Sequence, residues 1–217
     1  MVDAQHALGE TEPLTRSLRK RNAILHAAAT AFLRHGYLGT SMDEIAALAG
    51  VSKQTVYKHF ADKERLFVEI VTSIEDEILN PVYAEIMSLQ DSGDLERDLR
   101  DLAGKLLARV LQPRLLQLRR LVIGEAVRFP ELGRTFYERG PGRAIDGLST
   151  TFARLAERGA LRAEDPALAA SHFNWLIMSA PINRAMFLGD DTPPVPAELD
   201  RYADGAVRVF LAAYGPR

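Results

Sequence analysis

The sequence predicts an all-α protein: an N-terminal three-helix unit carrying a helix-turn-helix, followed by a larger helical domain. Two observations carry that fold class. Apolar residues recur at helical spacing through most of the 217 residues, with no strand alternation of any length and no internal repeat. In addition, residues 39–67, GTSMDEIAALAGVSKQTVYKHFADKERLF, hold two short helices joined by a tight turn and then the start of another.

Residues 1–15 are polar, contain Gly9 and Pro13, and read as a disordered arm. The basic run Arg16, Arg19, Lys20 and Arg21 reads equally well as a solvated helix start or as an arm touching phosphate or the minor groove. A first helix is expected over 17–35, where Ile24, Ala28, Ala31 and Phe32 share one face. Gly36 is its stop, with Tyr37 and Leu38 packing back.

Thr40 and Ser41 precede the second helix, and Ser41 stands three residues before Glu44, the spacing of a capping box. Ile45, Ala46 and Ala49 face inward, and Gly50 ends the helix because it enters the left-handed region without a Cβ clash. Val51 anchors the turn. Ser52 caps the third helix, which turns Lys53, Gln54, Thr55, Lys58 and His59 outward and Val56 and Phe60 inward. The helix pair alone would also suit an ordinary αα-hairpin. Its outer face favours the helix-turn-helix: it holds hydrogen-bond donors, with no acidic residue between 52 and 60. Small Ala46 and Ala49 let the two axes approach, and the second helix of the pair can then enter a major groove about 12 Å wide.

Asp62 caps a fourth helix expected to reach Asn80 and to stop at Pro81, with Leu66, Phe67, Ile70, Ile74 and Ile78 inward. Lys63 lies in its first turn, where free N–H groups attract phosphate. The expected organisation is an arm at 1–15, a helix-turn-helix domain at 16–62 and a helical domain at 63–217, with the fourth helix running from one domain into the next. Further helices are expected at 82–89, 94–112 (Leu95, Leu99, Leu102, Leu106, Leu107 and Val110 inward), 114–128 (Leu118, Leu121, Val122 and Val127), 131–139, 143–158, 166–188 and 197–214. Gly140-Pro141-Gly142 is expected as a turn and 192–196 as a proline-rich loop.

Composition narrows the function classes. The net charge of −2 argues against indiscriminate nucleic-acid binding, but its distribution is uneven. Residues 15–66 hold nine basic and four acidic side chains, a local +5, which leaves −7 for the remainder. That asymmetry suits a DNA-contacting head on an acidic body, and also a mixed solvated surface. There is no cysteine, hence neither a disulfide framework nor a thiolate metal site. No apolar run approaches the roughly 18 residues of a membrane span, and the N-terminus lacks a signal-peptide core, so no membrane association and a cytoplasmic location are expected. His6, His26, His35, His59 and His172 never form His-Glu-x-x-His; there is no Gly-x-Ser-x-Gly elbow and no P-loop. Asp190-Asp191 is too sparse for a hard cation. No enzyme, cofactor or metal is expected, and a scaffold that binds only protein would leave the donor-rich face 53–59 unexplained.

Residues 23–67 resemble the DNA-binding domain of the TetR family of bacterial repressors. The resemblance is carried by Ala27-Ala28, Phe32, Gly36, Ile45-Ala46, Ala49-Gly50-Val51-Ser52, Thr55-Val56-Tyr57, His59-Phe60, Lys63 and Leu66-Phe67. It implies a ligand-responsive repressor that binds a palindromic double-stranded operator as a homodimer, a ligand-dependent activator being the alternative. Lys53, Gln54 and Thr55, at the N-terminal end of the recognition helix, are the base-edge candidates: Gln can pair with adenine and Lys with guanine. Carried over from the family pattern, Thr40, Tyr57, Lys58, His59 and Lys63 are the expected phosphate contacts, and Ser41 completes the DNA-binding set.

Residues 121–187 are similar to the C-terminal domain of the AefR-like subgroup, on the strength of Glu125-Ala126-Val127-Arg128-Phe129-Pro130-Glu131-Leu132, Pro181 and Ala185-Met186-Phe187. This implies that the helices 143–158 and 166–188 pair with their copies in a four-helix bundle. The second is apolar on more than one face (Ala169, Phe173, Leu176, Ile177, Ala180, Met186), which fits that bundle, burial within a monomer core being the alternative. A body cavity would bind an unidentified small-molecule effector. Glu125, His172, Asn174 and Trp175, polar or amphipathic residues near apolar surface, are the lining candidates, each with a structural role as the alternative. Arg119 and Arg120 are assigned to solvent or a helix C-terminus.

Overall fold

The computed structural model describes residues 11–189 and 195–216, the side chains of 11–15 excepted. Among these residues every regular element is helical: α1 (Thr11–Gly39), α2 (Met42–Leu48), α3 (Lys53–His59), α4 (Lys63–Ser88), α5 (Leu95–Val110), α6 (Pro113–Glu125), α7 (Pro130–Tyr137), α8 (Arg143–Glu157), α9 (Pro166–Leu188) and α10 (Pro196–Tyr214). The chain forms two compact units, Met1–Ser73 (the head) and Ile74–Arg217 (the body). The division falls within α4, eleven residues beyond the boundary expected between 62 and 63. Of the expected arm, 1–10 lies outside the described residues, while from Thr11 the backbone is already helical.

The head is built around α1. Ile24, Ala28, Ala31 and Phe32 are completely or almost completely buried, as their i, i+4, i+7, i+8 spacing requires. Gly36, at φ 74°, breaks the helical path inside α1. Beyond that break the helical period no longer governs: Tyr37 packs back, but Leu38, expected to do the same, faces solvent. The rings of Phe32, Tyr37 and Phe67 form a triangle with centroids 4.9 to 5.8 Å apart, which joins α1 to α4 with an aromatic contribution of about 0.5–1.5 kcal/mol per pair beyond simple burial. Arg21 pairs with Glu69, and its guanidinium lies 5.2 Å from the Phe60 ring centroid. Arg21 thus braces the head from within, whereas Arg16, Arg19 and Lys20 are exposed.

Pro81 does not end α4, contrary to expectation. The bond it forfeits is to the Glu77 carbonyl, and both Pro81 and Glu77 are exposed, so water can satisfy that group. Meanwhile Ile78, Leu79, Val82 and Ile86 are buried on either side of the proline and hold the helix through it. Helix α6 ends at Glu125 rather than continuing to Arg128, with Arg128 and Phe129 N–H groups both donating to the Glu125 carbonyl. Pro130 disfavours helical geometry at Phe129, and Val127, expected inward, is 94% exposed. The Gly140-Pro141-Gly142 stretch is not an open turn. It belongs to one π-helical turn, Glu138–Gly142, that leads α7 directly into α8.

In the body, α8 packs along α9, and α10 lies against α5 and α9. Phe152, Phe173 and Phe210, one from each of α8, α9 and α10, meet with centroids 5.0 to 5.7 Å apart and are fully buried.

Candidate nucleic-acid interface and body cavity

The interface is assembled by three local caps. Ser41 Oγ accepts the Glu44 N–H at 3.1 Å and starts α2. Of the expected capping box this half forms, while the Glu44 carboxylate lies 3.7 Å from His35 Nε2. At the other end Gly50, with φ 63°, donates to the Ala47 carbonyl and Val51 donates to that of Ala46, the paired bonds of a Schellman motif. Ser52 Oγ then accepts the Thr55 N–H at 3.2 Å and lies 2.8 Å from the Thr55 hydroxyl. Two residues of loop between such caps leave α3 little freedom relative to α2. Val56, completely buried, and Phe60 anchor its inner side.

The outer side of α3 presents Lys53, Gln54, Tyr57 and Lys58 to solvent, with His59 half-buried beside Phe60. Lys53 Nζ is 2.8 Å from the Asp43 carboxylate of α2, whose hydrogen bond and charge raise the lysine above its ordinary pKa. Sequence reading missed this pair because Asp43 lies on the other helix. Thr55 is half-buried and its hydroxyl belongs to the Ser52 cap. Thr40 is 3% exposed, and its hydroxyl donates to the Gly36 carbonyl at 2.9 Å; a phosphate contact from it needs that bond exchanged. Ser41 is exposed. Lys63 opens α4, its ammonium 4.3 Å from the Tyr37 ring centroid, next to an N-terminus capped by Asp62.

A narrow cavity of about 30 Å³, partly open to solvent, lies in the body. Its walls are mainly apolar, with Leu79, Leu106, Val110, Phe136, Met178 and Ile182 among them, and its polar groups come from Glu75, Tyr83, Arg119 and Asn174. Glu75 is 1% exposed, and neither carboxyl oxygen has a hydrogen-bond partner. Burial pushes its carboxyl up to about 8; Arg139 and Arg119 oppose that rise and Asp76 adds to it. Gly140 makes the close packing possible, since a Cβ there would lie 2.8 Å from Glu75 Oε1. The Tyr83 hydroxyl donates to the Arg139 carbonyl at 2.5 Å, with the Gly140 carbonyl at 3.2 Å, and burial raises its pKa. Arg119 is half-buried, 5.2 Å from the Phe136 ring centroid, with a buried Nε that lacks a partner. Burial lowers the pKa of its guanidinium, an effect the Glu75 charge opposes.

Of the four lining candidates, Asn174 and Trp175 are in this cavity. His172 is exposed, with Nδ1 2.7 Å from the Tyr214 hydroxyl, and Glu125 closes α6; neither lines it. Arg119, assigned to solvent, does. Glu75 and Tyr83 were overlooked, although Val71, Glu75, Leu79 and Tyr83 follow at four-residue steps on α4, placing the carboxylate on an apolar stripe.

Residues 24–70 match the family described as bacterial regulatory proteins, tetR family, and residues 97–216 match the AefR-like transcriptional repressor C-terminal domain. The crystal structure of a TetR-family transcriptional regulator from Mesorhizobium loti MAFF303099 is similar at 44% identity and a TM-score of 0.86, covering 92% of this chain and 98% of that one. A flavonoid-responsive regulator, FrrA, is similar at 31% identity and a TM-score of 0.70, covering 92% and 98%. Among curated proteins, the uncharacterized HTH-type regulator YhgD of Bacillus subtilis is 44% identical over 62 residues, 29% of this chain; the match spans about a third (32%) of that regulator's length.

Proposed function

Because this chain belongs to the TetR family of bacterial regulatory proteins, we propose that it is a cytoplasmic, ligand-responsive repressor that binds a palindromic DNA operator as a homodimer. The observation that carries the reading is the capped, donor-rich outer face of α3. Lys53, Gln54 and Thr55 read base edges; Ser41, Tyr57, Lys58, His59 and Lys63, with Thr40 once its bond to Gly36 is exchanged, hold phosphates. The Lys53–Asp43 pair opens on binding, an exchange that costs little because both side chains are more than half exposed. Two-fold pairing through α8 and α9 presents two such helices to two half-sites. Leu168 and Leu176, apolar and exposed on α9 in the single chain, support that pairing.

The body cavity is the effector site. One helix, α4, carries Lys63 at its first residue and Glu75, Leu79 and Tyr83 in the cavity wall. A ligand that shifts α4 therefore acts on the same helix that carries Lys63, and whatever it subtracts from DNA affinity, DNA subtracts from its own. Selection of genomic fragments by the purified protein at about 0.15 M salt, where weak nonspecific binding is suppressed, tests the function. Recovery of a palindrome is the expected result. An intact dimer that enriches no fragment, with or without candidate effectors, overturns it.

A further inference from the structure

We propose that the body cavity takes an uncharged, mainly apolar molecule bearing a hydrogen-bond donor for the Glu75 carboxyl and an acceptor for Arg119 Nε, a hydroxylated aryl ketone being the simplest such chemistry. This rests on the reading of the cavity as the effector site and adds the class of ligand. Glu75 is the strongest sign of an absent partner, since a buried carboxyl with both oxygens unbonded is costly to leave that way. Arg119 Nε is a second unmatched group in the same wall, of opposite sense, and no hydrogen bond joins the two. A molecule with one donor and one acceptor satisfies both at once.

Charge around the cavity decides against the ionic alternatives. An organic cation would satisfy Glu75 but sit near Arg119 and Arg139; an anion would suit Arg119 but face Glu75 and Asp76. Burial already favours the protonated carboxyl at neutral pH, a form that both donates and accepts. The Tyr83 hydroxyl is engaged with backbone carbonyls, and of the polar groups named in the wall only Glu75 and Arg119 hold buried atoms without a partner, so discrimination falls to them. Phe136 and Trp175 in the wall suit an aryl body.

Trp175 is the only tryptophan of the chain, which makes its fluorescence a reporter of this cavity. The full chain is titrated at pH 7, by calorimetry and tryptophan emission, with 4-hydroxybenzophenone, with diphenylmethane, which lacks both polar groups, and with benzyltrimethylammonium. Expected is saturable binding of 4-hydroxybenzophenone, roughly tenfold tighter than diphenylmethane, with no binding of the cation. That preference should collapse in Glu75→Leu and in Arg119→Met, and persist in Glu75→Gln, whose amide keeps an acceptor and a donor; thermal melts of each variant confirm folding. Equal or tighter binding of diphenylmethane or the cation overturns the proposed class, as does absence of 4-hydroxybenzophenone binding. Failure of the underlying site reading looks different: Trp175 responds to the ketone, but affinity for the selected operator does not change.

Discussion

Lys53 Nζ stands 2.8 Å from the Asp43 carboxylate, so the first residue of α3 is tied to α2 before any DNA arrives. DNA must compete with that carboxylate for Lys53, and the negative charge of Asp43 opposes the approach of phosphates. Asp43→Asn is therefore expected to tighten DNA binding by several-fold, on operator and nonspecific DNA alike. The slope of log K against log salt should stay nearly the same, since a base contact neutralises no additional phosphate. Fluorescence anisotropy over a salt series measures both. Unchanged affinity would mean that Lys53 makes no DNA contact, and a slope more negative by about 0.9 would mean that it binds phosphate rather than a base edge.

Tyr57 and Lys58 occupy the exposed side of α3, Tyr57 one turn from Lys53. Tyr57→Phe removes a single hydroxyl and is expected to weaken binding by roughly three- to tenfold across sequences, since contacts to phosphate carry no sequence information. Lys58→Ala should lower the magnitude of the salt slope by about 0.9. Comparing operator with scrambled DNA checks the assignment: a loss confined to the operator would make these residues base readers.

Gly50 holds φ 63° at the end of α2, and a Cβ built there meets nothing within 4 Å. The cost of Gly50→Ala is therefore conformational rather than steric, about 1–2 kcal/mol, and Gly50→Asn should recover part of it because asparagine tolerates the left-handed region. Urea unfolding of the full chain, followed by helical signal, tests the order Gly, Asn, Ala. Equal stability of all three would show that the turn relaxes to another geometry.

What could be read from the sequence is what is written locally. Ser41, Gly50, Ser52 and Asp62 act within three or four residues of themselves, so the helix-turn-helix and its caps were legible. Pro81 was misread because a local rule was outweighed by burial of Ile78, Leu79, Val82 and Ile86, which depends on partners elsewhere in the chain. The Asp43–Lys53 pair and the buried hydroxyl of Thr40 required the crossing of α2 and α3 and the path at Gly36. Glu75 sits in the acidic run Glu75-Asp76-Glu77, which looks like solvated surface until α7 and the π-helical turn after it bring Phe136 and Gly140 against it.

The same burial makes Glu75 a source of pH-dependent stability. Its carboxyl is raised from an ordinary 4.5 to about 8, so between those values the folded chain holds a proton there that the unfolded chain has released. The contribution is complete below about pH 4.5 and is lost as pH rises through 8, with a slope approaching about 1.4 kcal/mol per pH unit from this group. Arg139, Arg119 and Asp76 are the charged groups acting on it. Glu75→Gln supplies an uncharged side chain of the same shape at every pH. The melting temperature of the native chain should fall between pH 6 and pH 9 more steeply than that of Glu75→Gln, with the variant the more stable at pH 9. Parallel curves would mean that Glu75 is ionised in the folded protein at neutral pH, in an ion pair with Arg119 or Arg139 that forms in solution.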